Sequence, residues 1–94
     1  MATYQIVQWR GIPLIVEASD GSGAATHPLS ERFQMLVDSA AMQLGLEGSE
    51  EYLAQWGKSA PATRAGTAQE VVDTIALELE ERFSEFIGQA LRRP

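Results

Sequence analysis

The sequence predicts an α+β fold in which a small antiparallel sheet precedes three helices. Two segments rich in β-branched and aromatic residues, joined by turn-forming residues, lie in the first third of the chain. Beyond residue 30 the apolar residues recur at steps of three and four, which is the period of an amphipathic helix. The chain has 94 residues, of which 45% are hydrophobic and 21% charged, so one folded domain over residues 1–94 is expected.

The predicted sheet is a three-stranded meander over residues of about 3–9, 13–18 and 24–28. Residues 10–13 predict the first hairpin, because Gly11 tolerates unusual backbone angles and Pro13 belongs at a strand start or an edge. Residues 19–23 are a dense cluster of turn formers that includes Asp20, and they predict the second turn.

The predicted helices cover residues of about 30–44, 49–57 and 67–91. Ser30 is placed to cap the first helix, and Gly45 is placed to end it in a left-handed conformation. Thr67 and Glu70 have the spacing of a capping box, so they predict the start of the last helix. Residues 58–66 are small, include a proline and show no periodicity, which predicts a connector. An unbroken last helix of roughly 25 residues spans about 37 Å. It should therefore overhang or bend over a globule about 32 Å across.

Charge and composition exclude several classes of function. The net charge of −6 repels nucleic acid and anionic membrane surfaces, so neither is an expected partner. The absence of cysteine removes disulfides, thiolate nucleophiles and cysteine-ligated metals. No signal peptide or membrane-spanning segment is apparent in the sequence, which predicts a cytoplasmic protein. A core this small leaves little room for a deep pocket, so catalysis by the isolated chain is not expected.

Four features have both a functional and a structural interpretation. His27, the only histidine, is either a general base or a surface side chain without a special role. The acidic residues of the last helix are either a docking face for a basic partner or a solvated face. Trp9 and Arg10 can clamp an anionic or planar ligand, or else fill the core and a turn. Trp56 has the same ambiguity. No catalytic or metal-ligating set is predicted.

Four short segments carry a family resemblance. They are Val7-Gln8-Trp9-Arg10-Gly11-Ile12-Pro13, Leu29-Ser30-Glu31-Arg32-Phe33, Ala40-Ala41-Met42 and Tyr52-Leu53-Ala54-Gln55-Trp56. Together they resemble the small bacterial "virulence factor" domain family, and also the end segment of conserved virulence factor C proteins. The resemblance is clear from about residue 4 to 57, and the last helix matches only as an acidic tail. The family pattern commonly has Asp where this chain has Gly11. Because the acidic side chain is missing here, this departure argues against a catalytic acid at the hairpin.

The resemblance implies no catalytic residues, but it does imply an association with folate- or corrinoid-dependent one-carbon transfer. The leading hypothesis is a non-catalytic accessory or interaction domain without a cofactor. It binds a protein partner, or a second copy in a homo-oligomer, through the sheet edge, the Trp9-Arg10 hairpin or the last helix. The alternative is a small subunit of a one-carbon complex for methyl transfer or of the methylenetetrahydrofolate reductase type. In that complex Trp9 and Arg10 contact a folate-type or other anionic ligand.

Overall fold

A computed structural model describes residues 1–46 and 48–90, with backbone alone for the last two of these. Leu91, the last residue of the predicted third helix, lies outside the described residues. The strands are β1 (Ala2–Trp9), β2 (Ile12–Asp20), β3 (Gly23–Pro28), β4 (Trp56–Lys58) and β5 (Ala62–Arg64). The helices are α1 (Glu31–Gln43), α2 (Glu50–Ala54), α3 (Ala68–Glu81) and α4 (Phe83–Ala90). The predicted α+β class and the antiparallel meander of β1, β2 and β3 are confirmed.

Two short strands extend the sheet beyond the prediction. β4 pairs with the end of β1, where Trp56 lies opposite Trp9, and β5 pairs with the start of β1. The structure therefore corrects two predicted boundaries. The helix predicted over 49–57 ends at Ala54, and the connector predicted over 58–66 contains β5 and the last residue of β4. The physical reason is the free edge of β1, whose unpaired backbone groups attract an extended segment. Between the two strands Ser59 donates its amide to Ile6 O at 2.9 Å, and its hydroxyl accepts the Ile6 amide at 2.8 Å.

The first hairpin is tighter than the sequence indicated. Trp9 pairs with Ile12, so the turn consists of Arg10 and Gly11 alone, with φ angles of 50° and 83°. Positive φ at both central positions is what a type I′ turn requires, and it matches the twist of the two strands. A left-handed arginine costs about 1–2 kcal/mol. The Arg10 amide helps to hold this conformation by donating to Gln55 O at 3.2 Å.

The helices lie on one face of the sheet. Leu14, Val16 and Ala18 of β2 are buried, whereas the alternate residues Ile15 and Glu17 are only half-buried. α3 contacts β1, β2 and β3, and α1 contacts β2 and α4. The buried residues of these elements form one apolar cluster in which Trp9, Phe33, Ile12 and Val16 are the largest fully buried side chains. Among the described residues, no helix combines the length and the hydropathy of a membrane span.

The predicted ends of two helices are confirmed. Gly45 follows α1 with a φ of 71°, and the amide of Leu46 donates to Ala41 O at 2.8 Å, as in a left-handed helix cap. Thr67 and Glu70 form the predicted capping box, in which each side chain accepts the other residue's amide.

The helix predicted over 67–91 is broken at Arg82. The Arg82 amide donates to Leu79 O at 3.1 Å, and its carbonyl accepts the Glu85 amide at 2.9 Å. These three-residue bonds tighten the chain, and they separate α3 from α4. The break turns α4 onto α1, where Phe83 and Phe86 pack at 4.9 Å and 6.0 Å from the Phe33 ring. The last helical segment therefore packs on α1 instead of continuing straight from α3.

Asp20 joins the second turn to the start of α3. One carboxylate oxygen accepts the amides of Ser22 at 2.7 Å and Gly23 at 3.0 Å, and the other accepts the Ala68 amide at 2.6 Å. The Ala68 amide, followed by those of Ser22 and Gly23, lowers the pKa of Asp20 against a small opposing effect of burial. The sequence assigned Asp20 to the turn alone.

We expect Asp20→Asn to lower the melting temperature at neutral pH, because the amide side chain loses the charge and one of its two acceptor oxygens. The folded-state pKa lies below the unfolded value of about 3.9, so this stabilisation is present above pH ~4 and disappears as the pH falls through the lowered pKa. Thermal melts of both proteins between pH 7 and 3 should therefore converge at the acid end. Asp38→Asn is the control, because within the described residues the Asp38 carboxylate accepts a hydrogen bond from the Gln34 side chain alone. A difference that persists unchanged at pH 3 would contradict this assignment.

Candidate functional site

Trp9 is the centre of an aromatic cluster at one end of the sheet. Its side chain has no exposed surface, and its Nε1 donates to Tyr52 O at 2.9 Å. The ring lies 5.5 Å from the Tyr52 ring, which in turn meets Trp56 edge-on at 6.2 Å. A side chain without exposed surface cannot touch a ligand, so Trp9 acts here through packing and through the position it gives to its neighbours.

The structure brings the three predicted binding residues together. Arg10 is half-buried, with its guanidinium carbon 6.0 Å from the centroid of the Trp9 ring. Trp56 is also half-buried and lies beside Trp9 in the register of β1 with β4. Of the three, only Arg10 and Trp56 offer surface to another molecule. Ligand binding at this hairpin stays a prediction.

His27 is bonded to a carboxylate. Its Nδ1 lies 2.8 Å from Asp73 Oδ1, which also accepts from Gln69 Nε2 at 2.9 Å. The hydrogen bond from His27 lowers the pKa of Asp73 most; burial opposes it, and the hydrogen bond from Gln69 lowers the pKa further. Nucleophilic catalysis needs a hydroxyl or thiol within reach of such a base. Within residues 1–46 and 48–90 the imidazole forms no hydrogen bond to a hydroxyl, and no cluster of three potential metal ligands occurs.

An apolar groove runs between α1 and α4, and we call it the α1–α4 groove. It has a volume of about 360 Å³. Its lining comes from Arg32, Met35, Leu36, Ser39 and Gln43 of α1 and from Phe83 and Ile87 of α4. Met35 is 61% exposed and Ile87 is 38% exposed, so the groove presents large apolar side chains to solvent.

Packed aromatic rings support the groove from below. Phe33 is fully buried, and its ring meets Phe83 in a T-shaped contact and Phe86 in a tilted one. Such pairs are favourable by about 0.5–1.5 kcal/mol beyond the area that they bury. This packing fixes α4 against α1, so the groove is already formed in the isolated domain.

Glu80 and Arg32 hold the adjoining ends of α1, α3 and α4 together. The guanidinium of Arg32 lies 4.3 Å from the centre of the Phe83 ring. It donates to the Glu80 carboxylate at 3.0 and 3.1 Å and to the Glu80 carbonyl at 2.6 Å. The carboxylate also accepts the Ser30 amide and hydroxyl, each at 2.7 Å. Ser30 thus occupies the predicted cap position, but its hydroxyl donates to Glu80 and accepts no amide from the first turn of α1.

Opposing effects set the pKa of Glu80. Partial burial raises the pKa, but the hydrogen bonds from Ser30 and the charge and hydrogen bonds of Arg32 together outweigh it. The pKa of Glu80 therefore lies below its usual range, and the carboxylate is ionised at neutral pH. This ionised group keeps the guanidinium of Arg32 over Phe83 at the mouth of the groove.

The groove was not predicted from the sequence. Phe83, Phe86 and Ile87 fit the apolar stripe of a single straight helix, and the sequence does not indicate that part of this stripe lies beside α1. One signal was available, because Met35 and Met42 stand seven residues apart on an otherwise polar side of α1. Two exposed methionines at that spacing indicate an apolar strip outside the core.

The family model described as "Virulence factor" matches residues 7–90 of the chain. The chain therefore belongs to this family, and the resemblance seen in the sequence is confirmed. The match includes α1 and α4, so the groove lies within the part of the chain that the family model covers. No curated protein matches the chain, and no solved structure does.

Proposed function

We propose that this virulence factor family domain is an accessory domain that binds a protein partner through the α1–α4 groove. The observation that carries the proposal is the apolar surface that Met35, Phe83 and Ile87 present on a preformed face. A contiguous apolar patch on a solvent-exposed face often marks a site of interaction with another molecule. A partner that covers it gains about 25 cal/mol for each Å² of apolar surface removed from water.

The shape of the groove favours a polypeptide over a small molecule. Sites for small molecules enclose most of the ligand surface. The α1–α4 groove is instead an open trough that borders the solvent along two helices. Troughs of this form bind an amphipathic helix, whose apolar face fills the groove.

The residue types of the lining also suit a protein interface. The lining combines the apolar side chains of α1 and α4 with the polar groups of Arg32, Ser39 and Gln43. Protein interfaces likewise combine apolar residues with groups that can form hydrogen bonds. Methionine adapts its shape to different partners because it is unbranched and polarisable.

Photo-crosslinking tests the proposal in the cells that produce the protein. A benzoylphenylalanine residue replaces Met35 in one strain and Leu77 in another, because the two side chains are equally exposed at 61% and Leu77 lies on α3 outside the groove. We expect a discrete protein adduct from position 35 and none from position 77. Equal adducts from both positions, or none from position 35, would contradict the proposal. Mass spectrometry of the adduct also tests whether the partner belongs to one-carbon metabolism, as the alternative hypothesis requires.

A further inference from the structure

A stripe of alternating acidic and methionine residues runs along α1. It consists of Glu31, Met35, Asp38 and Met42, and we call it the acid–methionine stripe. Their spacing of four, three and four residues places all four on one face of the helix. All four are exposed, with Met42 at 64%. The stripe is not part of the core, so its regular alternation is not explained by folding of the domain itself.

The acid–methionine stripe meets the α1–α4 groove at Met35. Met35 lines the groove, whereas Asp38 and Met42 line a second hollow together with Tyr52 of α2. A helix bound in the groove covers Met35, and Glu31 and Asp38 lie one helical turn to either side of that residue on the same face of α1.

The stripe carries two negative charges without a described counter-ion. Glu31 and Asp38 form no ion pair within the described part of the chain, and Asp38 accepts one hydrogen bond there, from Gln34 Nε2 at 3.1 Å. Arg32 and Arg82 are engaged elsewhere, because Arg32 binds Glu80 and Arg82 lies 3.2 Å from Glu85. With a net charge of −6 the whole chain adds to this negative field.

We infer that the segment bound in the α1–α4 groove is a basic amphipathic helix of another protein, an inference that rests on the proposed function. Its apolar side chains cover Met35 and the floor of the groove, and its Lys or Arg side chains meet Glu31 and Asp38. A second copy of this chain fits poorly, since two surfaces of the same negative sign repel each other across an interface.

The dimensions of α1 set the size of the bound helix. Thirteen residues of α1 present a face about 20 Å long, which three to four turns of a partner helix can cover. A helix that packs lengthwise on α1 repeats its apolar residues about every seven positions. Basic residues should flank the apolar residue that covers Met35, because Glu31 and Asp38 lie one turn to either side of it.

A displayed library of helical peptides tests the inference on the full chain. The peptides have 14 residues, with leucine fixed at the two apolar positions of each heptad, three and four residues apart. The positions that flank these leucines vary among Lys, Glu, Gln and Ser. Selection on the wild type is compared with selection on a variant carrying Met35→Lys and Ile87→Lys, which identifies groove-dependent binders. We expect these binders to be rich in lysine and about fivefold tighter than matched peptides with glutamine, as two exposed ion pairs provide.

Charge reversal provides the specific control. A variant carrying Glu31→Lys and Asp38→Lys should enrich glutamate-rich peptides instead. A variant with Asp73→Lys and Glu78→Lys on α3 changes the net charge equally and should retain the preference for lysine. Groove-dependent binders without a basic preference, a groove-dependent dimer of the chain, or no groove-dependent binders would each overturn the inference. Groove-dependent binders without a basic preference would still agree with the proposed function. Whatever the outcome of the selection, the photo-crosslink at position 35 tests separately whether the groove binds a protein.

Discussion

Replacement of Trp9 by alanine is expected to lower the free energy of unfolding by about 3–5 kcal/mol. Small domains are stable by only about 5–15 kcal/mol, so this variant should be close to unfolding. The cause is twofold. The substitution opens a cavity under the first hairpin, because Trp9 has no exposed surface. It also leaves Tyr52 O without the hydrogen bond from the indole nitrogen, which loosens the contact with α2.

Denaturant titration measures this loss, and two variants locate its origin. Trp9→Phe keeps an aromatic ring but removes the N–H group, so its loss should be smaller than that of the alanine variant. Trp56→Ala removes a half-buried ring from the same cluster and should also cost less. If Trp9→Ala were as stable as the wild type, the side chain would have to be a surface group, as the ligand-binding hypothesis for the hairpin supposed.

The second large effect is expected at Phe33, which links stability to the groove. Phe33→Ala should cost about 3–5 kcal/mol, and it removes the ring on which Phe83 and Phe86 rest. α4 then loses its main contact with α1, so the groove should open even in the fraction of molecules that remains folded. Hydrogen exchange of the amides of residues 83–88 should accelerate more than that of α3, which packs on the sheet.

Phe33→Leu is the matched control for this effect. Leucine keeps an apolar side chain in the core, so most of the stability and the position of α4 should be retained. Equal acceleration of exchange in α3 and α4 of the alanine variant would show that the loss is global. In that case Phe33 would not be the residue that holds α4 in place.

Local patterns were sufficient for the meander but not for the other two strands. The β-branched and aromatic residues and the turn formers that predict this meander lie within the first 28 residues, and the strands have six to nine residues each. β4 and β5 have three residues each, which is too short for any alternation. They form because β1 offers a free edge for pairing. The amino-acid composition of a three-residue segment does not reveal that a distant strand will pair with it.

The break in the last helix was hidden for a different reason. Leu79, Phe83 and Phe86 keep the helical spacing across Arg82, and neither glycine nor proline marks the position. The position of α1, with Arg32 on the Glu80 carbonyl and Phe33 under Phe83, determines where the chain turns. The groove depends on that turn, so residue types indicated only the exposed methionines of α1 and not the second wall of the groove, and they drew attention to Trp9 and Arg10 instead.

Isothermal titration of the partner identified by photo-crosslinking tests most directly whether the α1–α4 groove is the binding surface. The comparison uses the wild type, Met35→Lys and Leu77→Lys, since both variants place a lysine at an equally exposed apolar position. Binding is predicted to weaken at least about tenfold for Met35→Lys, because a charge at the centre of an apolar interface must lose its water. Leu77→Lys should bind like the wild type. Equal affinities for all three proteins would contradict the assignment of the groove.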